Sequence, residues 1–228
     1  MFTITLIATT HKEKGLCNSD ELFKIIEQII PEVIFEEIPP GKFEAVYAGT
    51  RQESLEIKTI KAYLKKYPAT NHYPVDLDIE HTTEKKIKKE FDAISFICND
   101  YSPEYSYLSN LITYWSEIYG FPFLNSDRCS ELLSRKKSLE MQVLNKLKCD
   151  YNQNTLDHEK LGLAYKKWVE EIDDRENEML RNIYSYIESK KYTKALFLVG
   201  AAHRKSIMQK IQEYESKEEF KLNWIFYS

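Results

Sequence analysis

Short apolar runs rich in β-branched residues alternate along the first third of this chain with stretches whose apolar residues recur at helical spacing. Strands are predicted at residues 2–8, 33–35 and 73–77, and helices are predicted at 19–30 and 52–66. A β-α-β-α-β order is typical of a parallel sheet, because parallel strands are joined by right-handed helical crossovers. The alternation therefore predicts an α/β fold.

The middle of the chain differs, because residues from about 84 to 190 show long helical patterns and no convincing strand. Further strands are predicted at 195–199 and 222–226, with a helix at about 204–214 between them. At 228 residues, the chain has the length of one domain, or of one domain with an insertion. We therefore expect a single α/β domain over 1–228. It would have a mostly parallel sheet flanked by helices, with a long helical insertion before the C-terminal strands.

Two of the predicted strands end in the same way, with small residues followed by a histidine. Ala8-Thr9-Thr10-His11 follows the first apolar run, and Gly200-Ala201-Ala202-His203 follows the run at 195–199. Ligands bind at the carboxyl ends of the strands in a parallel α/β sheet, so two such histidines would meet in one pocket. There they would suit a metal ion or a water-activating acid/base pair. The alternative is that each histidine is a hydrogen-bonded turn residue with a structural role.

Carboxylates also follow two of the predicted strands. Glu36 and Glu37 end the second strand, and at most one of them should face a given pocket because strand side chains alternate between faces. Asp76 and Asp78 end the third strand. One or two of these acids with the two histidines would bind zinc, manganese, cobalt or iron, or would form an acid/base set without metal. The alternative is that they are ordinary exposed acids.

Arg175 lies inside a long helix predicted at about 159–190. It can pair with Glu178 on its own helix, since the two residues are i,i+3 neighbours. If it faces inward instead, its guanidinium would bind a carboxylate or a phosphate. The sequence alone leaves both arrangements open.

Composition limits the classes of binding partner and the cellular location that we expect for this protein. The formal net charge of −4 and the pI near 5.8 give no electrostatic reason to expect nucleic acid. Four scattered cysteines form no CxxC pair, so reduced buried thiols are expected. The N-terminus has no secretory pattern and no run approaches about 20 apolar residues, so we expect a cytoplasmic protein without a membrane partner. A small molecule or a peptide is the expected partner, and the oligomeric state is left open.

An ordered set of short motifs resembles the TraB/Tiki family, within the wider superfamily of erythromycin esterase-like and ChaN-like proteins. Members carry two GxxH motifs, an acidic residue after the second strand, and an R-x-x-x-M helix before the last GxxH strand. The matching segments here are, in order, Ala8-Thr9-Thr10-His11, Pro31 to Ile38, Arg175-Glu176-Asn177-Glu178-Met179 and Gly200-Ala201-Ala202-His203. Ala8 stands where members have the first glycine. The resemblance implies a centre of His11, Glu37 and His203 with Arg175 beside it, and Glu36 and Asp76 as further acidic candidates.

The resemblance implies several activities. Tiki-like members are viewed as metal-dependent proteases, erythromycin esterase-like members hydrolyse a lactone, ChaN-like members are linked to iron or haem, and TraB-like members to peptide-pheromone control. We expect a hydrolase in which His11, Glu37 and His203 surround a water, with or without a divalent metal, and attack an ester or amide bond. Arg175 would bind a substrate carboxylate or stabilise the oxyanion. The alternatives are a protein that binds a metal, haem or a small ligand without turnover, and a regulatory module with a degenerate site.

Overall fold

A computed structural model describes residues 2–49, 53–150, 155–190, 192–217 and 221–228. Its sheet has five parallel strands in the order β3-β2-β4-β1-β5. The strands are β1 (Thr3–Thr9), β2 (Val33–Glu36), β3 (Asn71–Pro74), β4 (Lys194–Gly200) and β5 (Asn223–Phe226). The predicted α/β class with a mostly parallel sheet is confirmed.

Helices flank the sheet and fill the long middle region. They are α1 (Ser19–Ile29), α2 (Pro40–Tyr47), α3 (Leu55–Lys66), α4 (His81–Tyr101), α5 (Pro103–Leu124), α6 (Asp127–Asp150), α7 (Thr155–Ser189) and α8 (Arg204–Lys217). The helix-rich region before the C-terminal strands is also confirmed. Among the helical residues that the structure describes, no helix is long and apolar enough to cross a membrane.

The chain forms two compact units. One contains the sheet and comprises Met1–Asp78, Trp115–Ser130 and Arg175–Ser228, and the other is helical and comprises Ile79–Tyr114 and Glu131–Asp174. The helical insertion predicted at about 84–190 is therefore divided, because two of its segments belong to the unit with the sheet.

β1 and the central strand β4 finish side by side, which brings the segments after them to one edge of the sheet. β1 and β4 pair in register from Thr3 opposite Lys194 to Thr9 opposite Gly200. The N–H of Ala201 then donates to the carbonyl of Thr9 at 2.9 Å, so the pairing continues past the strand ends. Both strands are buried on both faces almost throughout, which explains their continuous apolar runs.

The described boundary of β3 differs from the predicted one, which changes the position of Asp76. β3 is Asn71–Pro74 rather than 73–77, because these residues pair with Val33–Glu36 of β2. Asp76 therefore follows the strand, and its N–H donates to the carbonyl of Ile38 at 3.1 Å. α1 begins at Ser19 as predicted, and the side chain of its N-cap residue Asn18 accepts from the N–H of Glu21.

Three of the four cysteines are described as free thiols, and all three are buried: Cys17, Cys98 and Cys129. Burial raises the pKa of the Cys17 thiol to about 12, so the thiol stays protonated and unreactive at neutral pH. The prediction of reduced buried thiols agrees with these three residues. The side chain of Cys149 lies outside the described part of the chain.

One asparagine side chain takes the place of a neighbouring strand beside β1. β5 pairs with β1 only from Thr3 to Leu6. Beyond that point, Asn125 accepts the N–H of Ala8 through Oδ1 at 2.7 Å and donates Nδ2–H to the carbonyl of Ala8 at 3.0 Å. Asn125 is 1% exposed, so water does not replace these bonds. The side chain thus supports the end of β1 that leads into Thr9 and His11.

We expect Asn125→Ala to lower the free energy of unfolding by about 1–3 kcal/mol, because it leaves two buried backbone groups of Ala8 without partners. Urea denaturation followed by circular dichroism measures the change. Asn223→Ala is the matched control, since Asn223 is exposed and its Nδ2 bonds to Thr3 at 3.3 Å. Equal effects of the two substitutions would contradict the role given to Asn125.

Candidate functional site

The carboxyl ends of the strands border a cavity of about 210 Å³ in the unit that contains the sheet. One set of lining residues is polar: Thr9, His11, Glu36, Glu37, Glu53, Ser54 and Glu56. The other set is aliphatic: Ile38, Val46, Ile57, Ile60 and Leu198. A cavity at this edge of the sheet agrees with the general position of ligand sites in parallel α/β folds.

Glu37 is the residue around which the predicted site residues gather. Its Oε1 accepts from Nη2 of Arg175 at 2.7 Å and lies 3.4 Å from Nε2 of His203, and its Oε2 accepts the N–H of Gly200 at 2.7 Å. Burial opposes the charge of Glu37, but the hydrogen bond from His203 and the charges of His203, Arg175 and His11 outweigh it and lower the pKa. Glu37 is therefore ionised at neutral pH.

The glycine three residues before His203, Gly200, lies directly against the carboxylate of Glu37. A Cβ at this position would lie 3.3 Å from Oε2 of Glu37, which is closer than ordinary van der Waals contact. The missing side chain allows the backbone N–H to approach the carboxylate.

Arg175 faces inward and does not pair with Glu178. Its Nε donates to Oδ1 of Asp76 at 3.0 Å, and its Nη2 donates to Oδ2 of Asp76 and to Oε1 of Glu37, both at 2.7 Å. Glu178 instead bonds with Arg181 and Asn182. The guanidinium therefore holds two buried carboxylates of this chain in a fork geometry.

His203 is buried and lies next to Glu37. Its Nδ1 is 2.8 Å from Oε1 of Glu176, and the hydroxyl of Ser206 donates to the other oxygen of that carboxylate at 2.5 Å. Burial disfavours the imidazolium, but hydrogen bonds to Glu176 and Glu37 outweigh it and raise the pKa of His203 to about 9. His203 is therefore positively charged at neutral pH, between two carboxylates.

His11 differs from His203 because its side chain is 66% exposed and lines the cavity. Its Nδ1 lies 3.2 Å from Oε1 of Glu56, and the same oxygen accepts the hydroxyl of Thr9 at 2.7 Å. The hydrogen bond to Glu56 raises the pKa of His11 to about 9, the charge of Glu37 adds to the shift, and partial desolvation of the imidazole ring opposes it. The charge of Glu37 contributes to the raised pKa of both His11 and His203. Of the two histidines, only His11 lines the cavity.

Glu36 has different partners from Glu37, but both line the cavity, so the expectation that at most one of them faces a given pocket is wrong. β2 ends at Glu36, so Glu37 lies beyond the strand and the alternation of strand side chains does not extend to it. Its Oε1 is 2.8 Å from Nδ1 of His72, and its Oε2 accepts the hydroxyl of Tyr47 at 2.5 Å. Burial raises the pKa of this carboxyl. Asp78 is exposed and accepts the N–H of Gly41, so it takes no part in the cluster around Glu37.

Nothing in the sequence indicates that two carboxylates of the site, those of Glu56 and Glu176, belong to it. Glu56 lies at the second position of α3, between two buried apolar residues, and Glu176 follows Arg175 within a charged stretch of α7. Both look like ordinary helix-surface acids in the sequence. Their roles follow from tertiary packing, which places each one on a histidine.

The described residues do not fit the expected divalent metal. Among the side chains that the structure describes, no three His, Cys, Asp or Glu residues are arranged to hold a metal ion. Both oxygens of Glu37 already accept hydrogen bonds from the protein, one from Arg175 and one from the backbone of Gly200. We therefore derive no chemical step through zinc, manganese, cobalt or iron.

Comparison with known proteins adds no relative to these observations. No protein-family description, no curated protein and no solved structure matches the chain. Membership of the TraB/Tiki family therefore stays a prediction from short motifs.

Proposed function

We propose that this protein hydrolyses an ester or amide bond with a water activated by His11. The observation that carries the proposal is the His11–Glu56 pair, which borders the same cavity as the ionised Glu37. A carboxylate on Nδ1 fixes the imidazole tautomer and leaves Nε2 to exchange a proton. The motif resemblance to erythromycin esterase-like proteins, which use His and Glu around a water, supports the same reaction class.

In the proposed reaction, neutral His11 takes a proton from water through Nε2 while the water oxygen bonds to the substrate carbonyl carbon. Glu56 stabilises the imidazolium that forms. The imidazolium then gives its proton to the leaving alkoxide or amine as the carbon–oxygen or carbon–nitrogen bond breaks. The products are a carboxylic acid and an alcohol or amine, so His11 ends the cycle in its starting state.

Glu37 orients the attacking water in this scheme, and Arg175 and His203 position Glu37. The low pKa of Glu37 makes it a weak base but a stable hydrogen-bond acceptor. Because Arg175 already binds Asp76 and Glu37, we assign it this positioning role rather than the expected contact with a substrate carboxylate. His203 contacts the same carboxylate of Glu37 through Nε2.

The size of the cavity bears on the alternative ligands. At about 210 Å³ it is smaller than the roughly 300–1,000 Å³ that drug-sized ligands fill, so it suits a small substrate group rather than haem. The cytoplasmic location and the peptide or small-molecule partner stay predictions from the sequence.

The pH dependence of hydrolysis tests this proposal. The active form contains neutral His11, so kcat/KM for a panel of small esters should rise with pH and level off above the His11 pKa of about 9. In Glu56→Gln, the largest cause of the raised pKa is gone, and the midpoint should move down towards the ordinary value of 6.5. Rates are measured against enzyme-free blanks at each pH.

Glu213→Gln on the exposed face of α8 is the matched control and should keep the midpoint of the wild-type protein. An unchanged midpoint in Glu56→Gln would remove His11 as the base. Absence of hydrolysis across the panel at every pH would contradict the proposed function itself.

A further inference from the structure

Helix α2 borders the cavity with Val46, yet none of its eight residues is buried. Two sheet residues of the same lining are deeply buried instead, because Glu36 and Leu198 are each 2% exposed. The two are partners in the β2–β4 register, so their side chains lie next to each other on one face of the sheet. The part of the wall that they form is therefore closed to solutes in this arrangement.

Tyr47 binds the last turn of α2 to that part of the wall. Its hydroxyl donates to Oε2 of Glu36 at 2.5 Å, and its ring packs on His72 with 4.6 Å between the ring centroids. The ring of Phe43, one turn earlier, lies 4.8 Å from the same imidazole. Nδ1 of His72 in turn lies 2.8 Å from Oε1 of Glu36. One hydroxyl and two aromatic rings thus hold the end of α2 on the Glu36–His72 pair.

The two ends of α2 are attached differently. At the first turn, the N–H of Gly41 donates to both carboxylate oxygens of Asp78 at 3.1 Å, and Pro39 and Pro40 each have a φ fixed by the ring. After the last turn comes Gly49, which is exposed and has a φ of +76°. No described atom lies within 4 Å of the position that its Cβ would occupy, so the backbone has room to change its dihedral angles there. The first turn is therefore the fixed end of the helix.

We propose that α2 is a lid that opens when the hydroxyl of Tyr47 leaves Glu36 and the helix swings about its first turn. Opening uncovers Glu36 and Leu198, so the cavity becomes larger and more accessible. Closing returns both side chains to a wall from which water is excluded, as other lids do beside reaction sites. The inference describes how access to the site is controlled, and its meaning for catalysis rests on the proposed function.

Amide hydrogen exchange of Tyr47→Phe, followed by NMR at pH 7, tests the lid without any turnover. Phenylalanine keeps the ring contacts with Phe43 and His72 and removes only the hydroxyl. We expect the amides of residues 44–48 to exchange about tenfold faster than in the wild-type protein, because the closed helix loses its hydrogen bond to a buried carboxylate. The amides of β1 should keep their wild-type rates, because the sheet itself stays closed.

Tyr67→Phe is the matched control for the loss of a tyrosine hydroxyl. The hydroxyl of Tyr67 also donates to a glutamate, Glu27, at 2.8 Å, but Tyr67 lies at the end of α3 rather than on α2. Its removal should leave the exchange of residues 44–48 at the wild-type rate.

A thiol on the covered wall reports the same opening by its chemical reactivity. Leu198→Cys places it beside Glu36, and methyl methanethiosulfonate should modify it about tenfold faster when Tyr47→Phe is added. The native thiol of Cys17 is 0% exposed in the same unit, so its rate reports opening of the whole unit and should stay unchanged. Peptide mass spectrometry follows each position separately.

Unchanged exchange at residues 44–48 in Tyr47→Phe, or an equal increase in Tyr67→Phe, would overturn the lid. A thiol at position 198 whose rate changes only in step with that of Cys17 would do the same. If Leu198→Cys does not fold, the exchange measurement decides alone, since it needs no change in the sheet.

Failure of the lid is distinct from failure of the proposed function. If residues 44–48 keep their exchange rates while ester hydrolysis keeps its Glu56-dependent midpoint, the lid is wrong and the hydrolase stands. If α2 opens as expected but no ester is cleaved, the hydrolase is wrong and the lid stands.

Discussion

Replacing Arg175 with methionine is expected to lower the free energy of unfolding by about 3–5 kcal/mol, because it leaves buried carboxylates without their counter-charge. The side chain of Asp76 is 4% exposed and that of Glu37 is 8% exposed. Methionine keeps the length and much of the apolar stem of arginine, so the loss of packing is small. Urea denaturation of both proteins at pH 7 measures the difference.

Arg181→Met is the matched control on the same helix. Arg181 is 67% exposed and pairs with Glu178, and exposed pairs contribute about 0–1 kcal/mol. Adding Asp76→Asn to Arg175→Met should recover part of the lost stability, since it removes one of the unpaired buried charges. If Arg175→Met unfolds no more easily than Arg181→Met, the carboxylates are not held as described.

Replacing His11 with alanine is expected to reduce kcat/KM for ester hydrolysis by about 10²- to 10⁴-fold, the range that a positioned general base contributes. The side chain of His11 is 66% exposed, so its removal should lower the free energy of unfolding only modestly, through loss of the contact with Glu56 that raises its pKa. Activity and stability are therefore expected to separate in this variant. Steady-state kinetics and urea denaturation on the same preparation measure both quantities.

Lys12→Ala, at the exposed neighbouring residue, is the control and should keep the wild-type rate. Added imidazole should restore part of the activity of His11→Ala, since it can enter the space that the side chain leaves beside Glu56. A His11→Ala protein with the wild-type rate would remove His11 from the reaction.

The sheet could be predicted from the sequence because its signal is local. The apolar runs at 2–8 and 195–199 fall within one residue of β1 and β4. Because parallel strands end at a common edge, the same runs also predicted that His11 and His203 lie at that edge. The alternation of side chains did not separate Glu36 from Glu37, because Glu37 follows the end of β2 and both residues line the cavity.

The rest of the site depends on contacts that no local pattern encodes. Glu56 and Glu176 each lie on a helix as one acid among many, and only the folded chain brings them to His11 and His203. Asn125 reaches Ala8 across 117 positions of sequence. The sequence allowed Arg175 either to pair with Glu178 on its own helix or to face inward. It faces inward because it pairs with Glu37 and Asp76, two carboxylates from distant segments of the chain.

The strand order has a consequence for synthesis on the ribosome. β1 is made first, yet its neighbours in the sheet are β4 and β5, which lie about 190 residues or more further along the chain. β1 therefore stays apolar and unpaired until β4 and β5 emerge, and such exposed strands favour aggregation. We expect a nascent chain halted before Lys194 to bind holding chaperones through β1 and to release them when β4 is added. Ribosome-bound chains of graded length, probed by crosslinking from a residue in β1, would measure the length at which protection begins.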